Sequence, residues 1–307
     1  MTQSYLKFRH AKKFNEQGNF AADIGNIFDA QRLYRKAAKI APDWAAPYFN
    51  LGLLSKHQRL WEESLAYNAQ ALERDASHEG ARWNQGIAAT ALGKWEIARA
   101  AWKAYGIDVP VGDGPIMMAL GAVVIRLEGD EGVETVWASR IDPARAILDS
   151  IPLPESGHCH GDVVLHDGEP LGYRTLGDRK VTAFNALALL KPSELSTYEA
   201  VVFVETKSDL DALQETLTSQ DIVNENWATE THILCKACSE GTPHSHPMPE
   251  RGPREFSPGE YSFGIAAKEK SLFENLINDW ASKPCRKFVS LELVVDANRL
   301  ESRNEQT

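Results

Sequence analysis

Apolar and polar positions follow two different rhythms along this chain, and the change of rhythm divides it. Up to about residue 105 the apolar residues recur at helical spacing. Tyr48, Leu51 and Leu54 share one helix face, and Leu60, Trp61, Ser64, Leu65 and Ala71 share the next. Ile87 and Ala91, then Trp95, Ala98 and Trp102, repeat the arrangement. The first stretch, around Phe14 and Phe20, is more polar, with Asn15, Glu16, Gln17 and Asn19. Gly25 and Gly93 stand between paired helices, where a left-handed turn costs glycine little; Arg59 takes that place in the middle pair. Pro110, Gly112, Gly114 and Pro115 then break any helix.

From Ile116 onward the rhythm is strand-like. Residues 123–127, 135–138, 162–165 and 200–204 predict strands, with a turn over 128–132. Residues 208–217 predict a helix capped by Ser208, with Asp209 and Asp211 in its first turn and Leu210, Leu213 and Leu217 on one face. Strand, helix and strand follow at 262–267, 270–280 and 287–295. The layouts of 201–217 and 262–281 are alike, a hint of duplicated units. Arg299 begins a polar tail.

The helical part has a period. Gly18, Gly52 and Gly86 are 34 residues apart, and so are Ala30, Ser64 and Ala98, and Ile27, Trp61 and Trp95; Pro42 falls just before the second unit. This resembles the tetratricopeptide repeat (TPR), a helix–turn–helix unit of that length. Three units run over 11–44, 45–78 and 79–112. A lone helix pair cannot bury its apolar face, so pairs must stack, with Ala30, Ala98, Trp61 and Trp95 expected in the seams. The fold class expected is a three-repeat helical solenoid over 11–112, followed by an α+β domain over 116–297 and a tail at 298–307.

The resemblance also implies a partner-binding groove lined by the first helix of each unit. Some members of that family clamp a C-terminal carboxylate there with lysines, an arginine and asparagines. Asn19 and Asn50 fall on the asparagine positions, but Asn15, Gly80 and Asn84 stand where the basic residues belong. Without those cations a carboxylate is poorly held, so a chaperone-tail clamp is not expected. Asn19, Asn50, Trp83 and Asn84 are the candidate partner-binding residues, suited to an extended backbone.

Charge sharpens the division. The chain of 307 residues has a net charge of −10, composed of +4 over 1–112 and −14 over 113–307. An acidic second half argues against nucleic-acid binding and fits a protein partner with a basic face. No run approaches the ~18 apolar residues of a membrane span, and the first residues lack the apolar core of a secretory signal, so a cytoplasmic location is expected.

Two clusters could carry chemistry. Cys235 and Cys238, followed by His244 and His246, supply the four N/S ligands that tetrahedral zinc prefers, and a closed set of four implies a structural ion. His158, Cys159, His160 and Asp162 look like the H-x-H-x-D core of the metallo-β-lactamase metal motif, although Val163 replaces the histidine that follows there. Cys159 and Cys285 are isolated in sequence, and no P-loop, dinucleotide fingerprint or nucleophile elbow is present. The function expected is therefore a scaffold-like protein–protein interaction module rather than an enzyme. One alternative is an immunity protein neutralising a basic toxin; another is a metal-dependent hydrolase using His158, His160 and Asp162.

Overall fold

Six helices form in the first part of the chain; the first helix of each pair ends, and the second begins, at the same point of each repeat. They are α1 (Gln3–Asp23), α2 (Ile27–Ile40), α3 (Ala45–His57), α4 (Trp61–Arg74), α5 (Glu79–Ala91) and α6 (Trp95–Tyr105). The computed structural model describes residues 3–129, 132–176, 179–227, 233–234 and 256–299. The chain divides into two units, Met1–Met118 with Asp142–Ala144, and Ala119–Ile141 with Arg145–Thr307.

The 34-residue period has a contact behind it. A Cβ added to Gly18, Gly52 or Gly86 would lie 2.5 Å from a side-chain atom of Tyr34, Asn68 or Trp102 respectively. Each of those residues is 16 positions beyond its glycine, on the second helix of the same pair. The missing side chain lets the two helices of a pair close on one large group. In the middle pair that group is polar and half satisfied: Asn68 Nδ2 donates to Ser64 O at 2.8 Å while Ser64 Oγ donates to Gly52 O at 2.9 Å, and Asn68 Oδ1 is buried without a hydrogen-bond partner among the described residues.

The turns repeat as well. Gly25, Arg59 and Gly93 have φ of 75°, 61° and 65°. After each, the N–H of Asn26, Leu60 or Lys94 donates back to Ala21 O, Ser55 O or Ala89 O at 2.8–2.9 Å. This six-to-one closure satisfies an orphan carbonyl at each helix end. Arg59 therefore adopts the glycine conformation expected of its place.

The alanines expected in the seams are fully buried, and the tryptophans expected there are partly buried. Ala30 and Ala98 are fully buried. Trp61 and Trp95 open their helices and are only partly covered. As the first residue of its helix, each lies over the entering turn, and Trp102 is the tryptophan with no exposed surface.

The second unit contains two sheets. The first is built from β1 (Ala122–Gly129), β2 (Gly132–Arg140), β3 (Arg145–Leu148), β4 (Val163–His166), β5 (Gly172–Leu176) and β6 (Arg179–Lys191) in the order β1-β2-β3-β4-β6-β5. A parallel pairing of β1 with β6 closes β1, β2, β3, β4 and β6 into a small barrel. Val123, Ile125, Leu127, Leu148, Val164 and Phe184 belong to its core. Short β9 (Ile233–Leu234) adds to β2.

The second sheet comprises β7 (Ser196–Val204), β8 (Val223–Asn226), β10 (Gly259–Ala267) and β11 (Arg286–Val295), ordered β11-β7-β10-β8 and wholly antiparallel. Helices α7 (Lys207–Thr218) and α8 (Glu274–Ala281) cover one face. The connection β-α-β-β-α-β with this order is the ferredoxin-like split arrangement, so the duplicated layouts are its two halves. The cap of helix α7 lies two residues earlier than expected: Thr206, not Ser208, accepts the Asp209 N–H, at 3.2 Å. On the opposite face Trp227 lies against Gly264, where a Cβ would meet the indole at 2.5 Å, and donates its Nε1–H to Ile151 O at 3.0 Å. That bond ties the two sheets together.

The glycine contact yields a test. Gly86→Ala should lower stability by roughly 1–3 kcal/mol through overpacking against Trp102, despite alanine's ~1 kcal/mol helix preference. Gly114→Ala, with open space around it, should change little. Equal thermal denaturation midpoints for the two variants would refute the packing account.

Candidate functional site

The first two helix pairs build a polar site from four side chains. Asn15 and Asn19 are one turn apart on α1, and Asn50 lies on α3. The Asn50 amide donates to Asn15 Oδ1 and to Asn19 Oδ1, both at 3.1 Å. Tyr34, on α2, donates its hydroxyl to the same Asn19 oxygen at 3.0 Å. The tyrosine reaches that oxygen because its ring passes over Gly18. Burial pushes its phenol up to about 12, so it stays a donor. The packing contact of the first repeat thus positions the site.

These bonds leave a particular set of groups unused. Both Nδ2 hydrogens of Asn50 are spent, leaving its Oδ1 to accept. Asn19 Oδ1 takes two donors, leaving its Nδ2 to donate. Asn50 is partly exposed and Asn19 exposed. One neutral donor beside one neutral acceptor complements the N–H and C=O of a peptide unit. It offers no cation to a carboxylate.

The other two candidates are placed differently. Asn84 is 4% exposed. Trp83 is partly exposed, but its ring sits edge-on to Trp102 and Tyr105 with centroids 5.0 and 4.7 Å away. Its main contacts are within the third helix pair. The structure therefore joins Asn19 and Asn50 directly and leaves Trp83 and Asn84 as parts of the packing beside them.

The histidine-rich loop of the second unit is organised around one carboxylate. Asp162 is completely buried. Its Oδ1 accepts the Ser193 N–H at 2.8 Å, and its Oδ2 accepts the Cys159 N–H at 3.0 Å, lies 3.1 Å from His158 Nδ1 and pairs with Arg299. Burial opposes its ionisation, but these hydrogen bonds outweigh it and hold the carboxyl below its usual range. His160 Nδ1 is turned to Asp149 O, 2.9 Å away. His158, His160 and Asp162 thus do not converge as metal ligands, and the metal-hydrolase expectation is corrected: the loop is a structural tie. Arg299, expected in a polar tail, is part of that tie. Among the described residues no group of three or more His, Cys, Asp or Glu side chains is placed to hold a metal ion. Cys235, Cys238, His244 and His246 lie outside the described residues.

A second buried carboxyl belongs to Glu134, on β2. Both its oxygens accept the Leu153 N–H, at 3.1 and 3.2 Å, beside a cavity of about 100 Å³ lined by Gly129, Leu153 and Ser156. Burial pushes its pKa up to about 7. His166 is buried against Phe184, with ring centroids 4.9 Å apart, and burial lowers its pKa to about 4. Its Nδ1 lies 2.7 Å from Asp167 O, so the neutral ring donates there and leaves Nε2 as an unprotonated acceptor. Tyr34, Glu134 and Arg299 are the groups that sequence reasoning missed. Only Tyr34 left a signal, standing 16 residues beyond Gly18 as Trp102 does beyond Gly86.

No protein-family model matches the chain, and no curated protein matches it. Among solved structures it is similar to the Arabidopsis OM64 TPR domain, at 19% identity over 32% of this chain and 82% of that one, with a TM-score of 0.31. It is also similar to the second TPR of Spaghetti (RPAP3) bound to the HSP90 peptide SRMEEVD, at 21% identity over 34% and 96% of the two chains, TM-score 0.33. The TPR2B domain of yeast Sti1, in its complex with pHsp70, matches at 21% identity over 32% and 78%, TM-score 0.30. These neighbours are TPR domains covering about a third of the chain, and six helices occupy its N-terminal part, where the 34-residue period runs. No helix among the described residues is long and apolar enough to cross a membrane.

Proposed function

We propose that this protein is a protein–protein interaction module whose repeat groove holds an extended segment of a partner by its backbone. The observation that carries the reading is the Asn19–Asn50 pair. It presents a neutral donor and acceptor, while Asn15, Gly80 and Asn84 stand where carboxylate-binding repeats need cations. Two of the TPR neighbours solved with partners, from Spaghetti and Sti1, hold an HSP90 peptide and pHsp70. Binding of a protein segment by this chain is consistent with that use of the repeat. The partner proposed here has a basic face, because the second part of the chain carries −14. That field steers approach, and salt screens it over a Debye length of ~8 Å at physiological ionic strength.

The test is recovery of partners by the intact protein, identified by mass spectrometry, followed by kinetics on the one recovered. Asn19→Ala with Asn50→Ala should weaken binding by about tenfold, the worth of two neutral hydrogen bonds. Rising salt should slow association and change dissociation less. An affinity indifferent to the double substitution would remove the groove from the account. An on-rate indifferent to salt would leave the acidic part as a solubilising surface only.

We also propose that Cys235, Cys238, His244 and His246 hold one structural zinc ion, on the strength of their spacing and ligand chemistry. Protein purified without chelator should contain about one zinc per chain by elemental analysis. Protein without metal would end this proposal and leave the first one standing.

A further inference from the structure

The edge strand β11 has a pattern that its place in the sheet does not require. It is ten residues long, whereas β8 at the other edge has four, and it pairs only with β7 among the described residues. Long edges expose a row of unpaired N–H and C=O groups and are usually protected or used. Val289 is 45% exposed and Leu293 51% exposed on this strand.

Its register with β7 sorts its side chains. Arg286, Phe288, Leu291 and Leu293 stand opposite Val204, Val202, Ala200 and Tyr198, which pack toward α7 and α8. Lys287, Ser290 and Glu292 stand opposite Phe203, Val201 and Glu199, on the other face. In an unbroken strand, residues 287 and 292 would point to opposite faces. The bulge between Phe288 and Ser290 inserts one residue and brings them to the same face.

That shift makes the strand self-complementary. We propose that β11 is a pairing edge for β11 of a second copy of this chain, antiparallel about a two-fold axis passing between Val289 and Ser290. The axis places Lys287 opposite Glu292 of the second copy, twice by symmetry. It places Phe288 opposite Leu291 and Arg286 opposite Leu293, each pair on the helix-covered face. Every pair joins residues of the same face, as strand pairing demands, and the charged pairs are of opposite sign. Lys287 and Glu292 are both exposed and have no ion-pair partner among the described residues. The occupant that fits is a second copy because the pattern complements itself, and the result is one continuous antiparallel sheet of eight strands. The inference does not depend on the repeat groove, which lies in the other unit.

The experiment is sedimentation equilibrium of the full chain across a concentration series. The wild type should be a dimer in the micromolar range. Lys287→Glu alone, or Glu292→Lys alone, places like charges opposite each other twice and should raise the dimer dissociation constant at least about tenfold. The exchange variant carrying both substitutions restores opposite signs in the same register and should dimerise like the wild type. A monomeric wild type would overturn the proposal. So would an exchange variant no better than the single ones, because dimerisation would then use another register or surface. All these substitutions are on an exposed strand face, so folding is verified by circular dichroism before the association is read.

Discussion

The close approach of a glycine on one helix to a large side chain on its partner is the contact from which this protein's helical half is built. At Gly18, Gly52 and Gly86 a single added methyl would collide with Tyr34, Asn68 or Trp102. The absence of that methyl sets the distance between paired helices. The large group then fills the space between them, and its identity decides what each repeat can do besides pack. Trp102 makes the third pair apolar and anchors Trp83. Asn68 makes the second an internal hydrogen-bond site. Tyr34 sends a hydroxyl past the glycine to Asn19. The same device recurs on the sheet, where Trp227 occupies the space above Gly264 and bridges to Ile151.

This relation explains why the asparagines form a defined site. A free Asn side chain in a groove can rotate and bond water at little cost. Here Asn19 is fixed by a tyrosine whose own position is fixed by packing, and Asn50 is fixed by both Asn15 and Asn19. In the proposed role, the free donor and acceptor are held before a partner arrives, which would reduce the ordering cost of binding. A neutral pair also avoids the desolvation cost that a lysine or arginine would carry into a covered groove. What it loses is any grip on a terminal carboxylate.

Legibility in the sequence followed locality. The helical half could be read because its contacts repeat at a fixed separation: the glycines, the small residues and the left-handed turns, Arg59 included, all recur every 34 residues. Trp61 and Trp95 share the period and begin their helices, where they are only partly buried. Strand β6, rich in Ala and Leu, gave no strand signal; its pairing with β1, β4 and β5 holds it extended. The order β11-β7-β10-β8 could not be read, since every neighbour in it is distant in sequence. Of the site, the asparagines were visible by position, whereas the bonds that orient them depend on Tyr34 crossing Gly18, a contact between two helices. Asp162 looked like a metal ligand because sequence shows a carboxylate among histidines but not the buried amides and guanidinium that already surround it.

The central claim is that the groove recognises backbone through neutral amides and not a terminal carboxylate through charge. Isothermal titration with a segment of the recovered partner, made once with a free C-terminal carboxylate and once as the C-terminal amide, tests it most directly. The account predicts the same affinity for both forms. Binding by the free acid that is lost on amidation would contradict it.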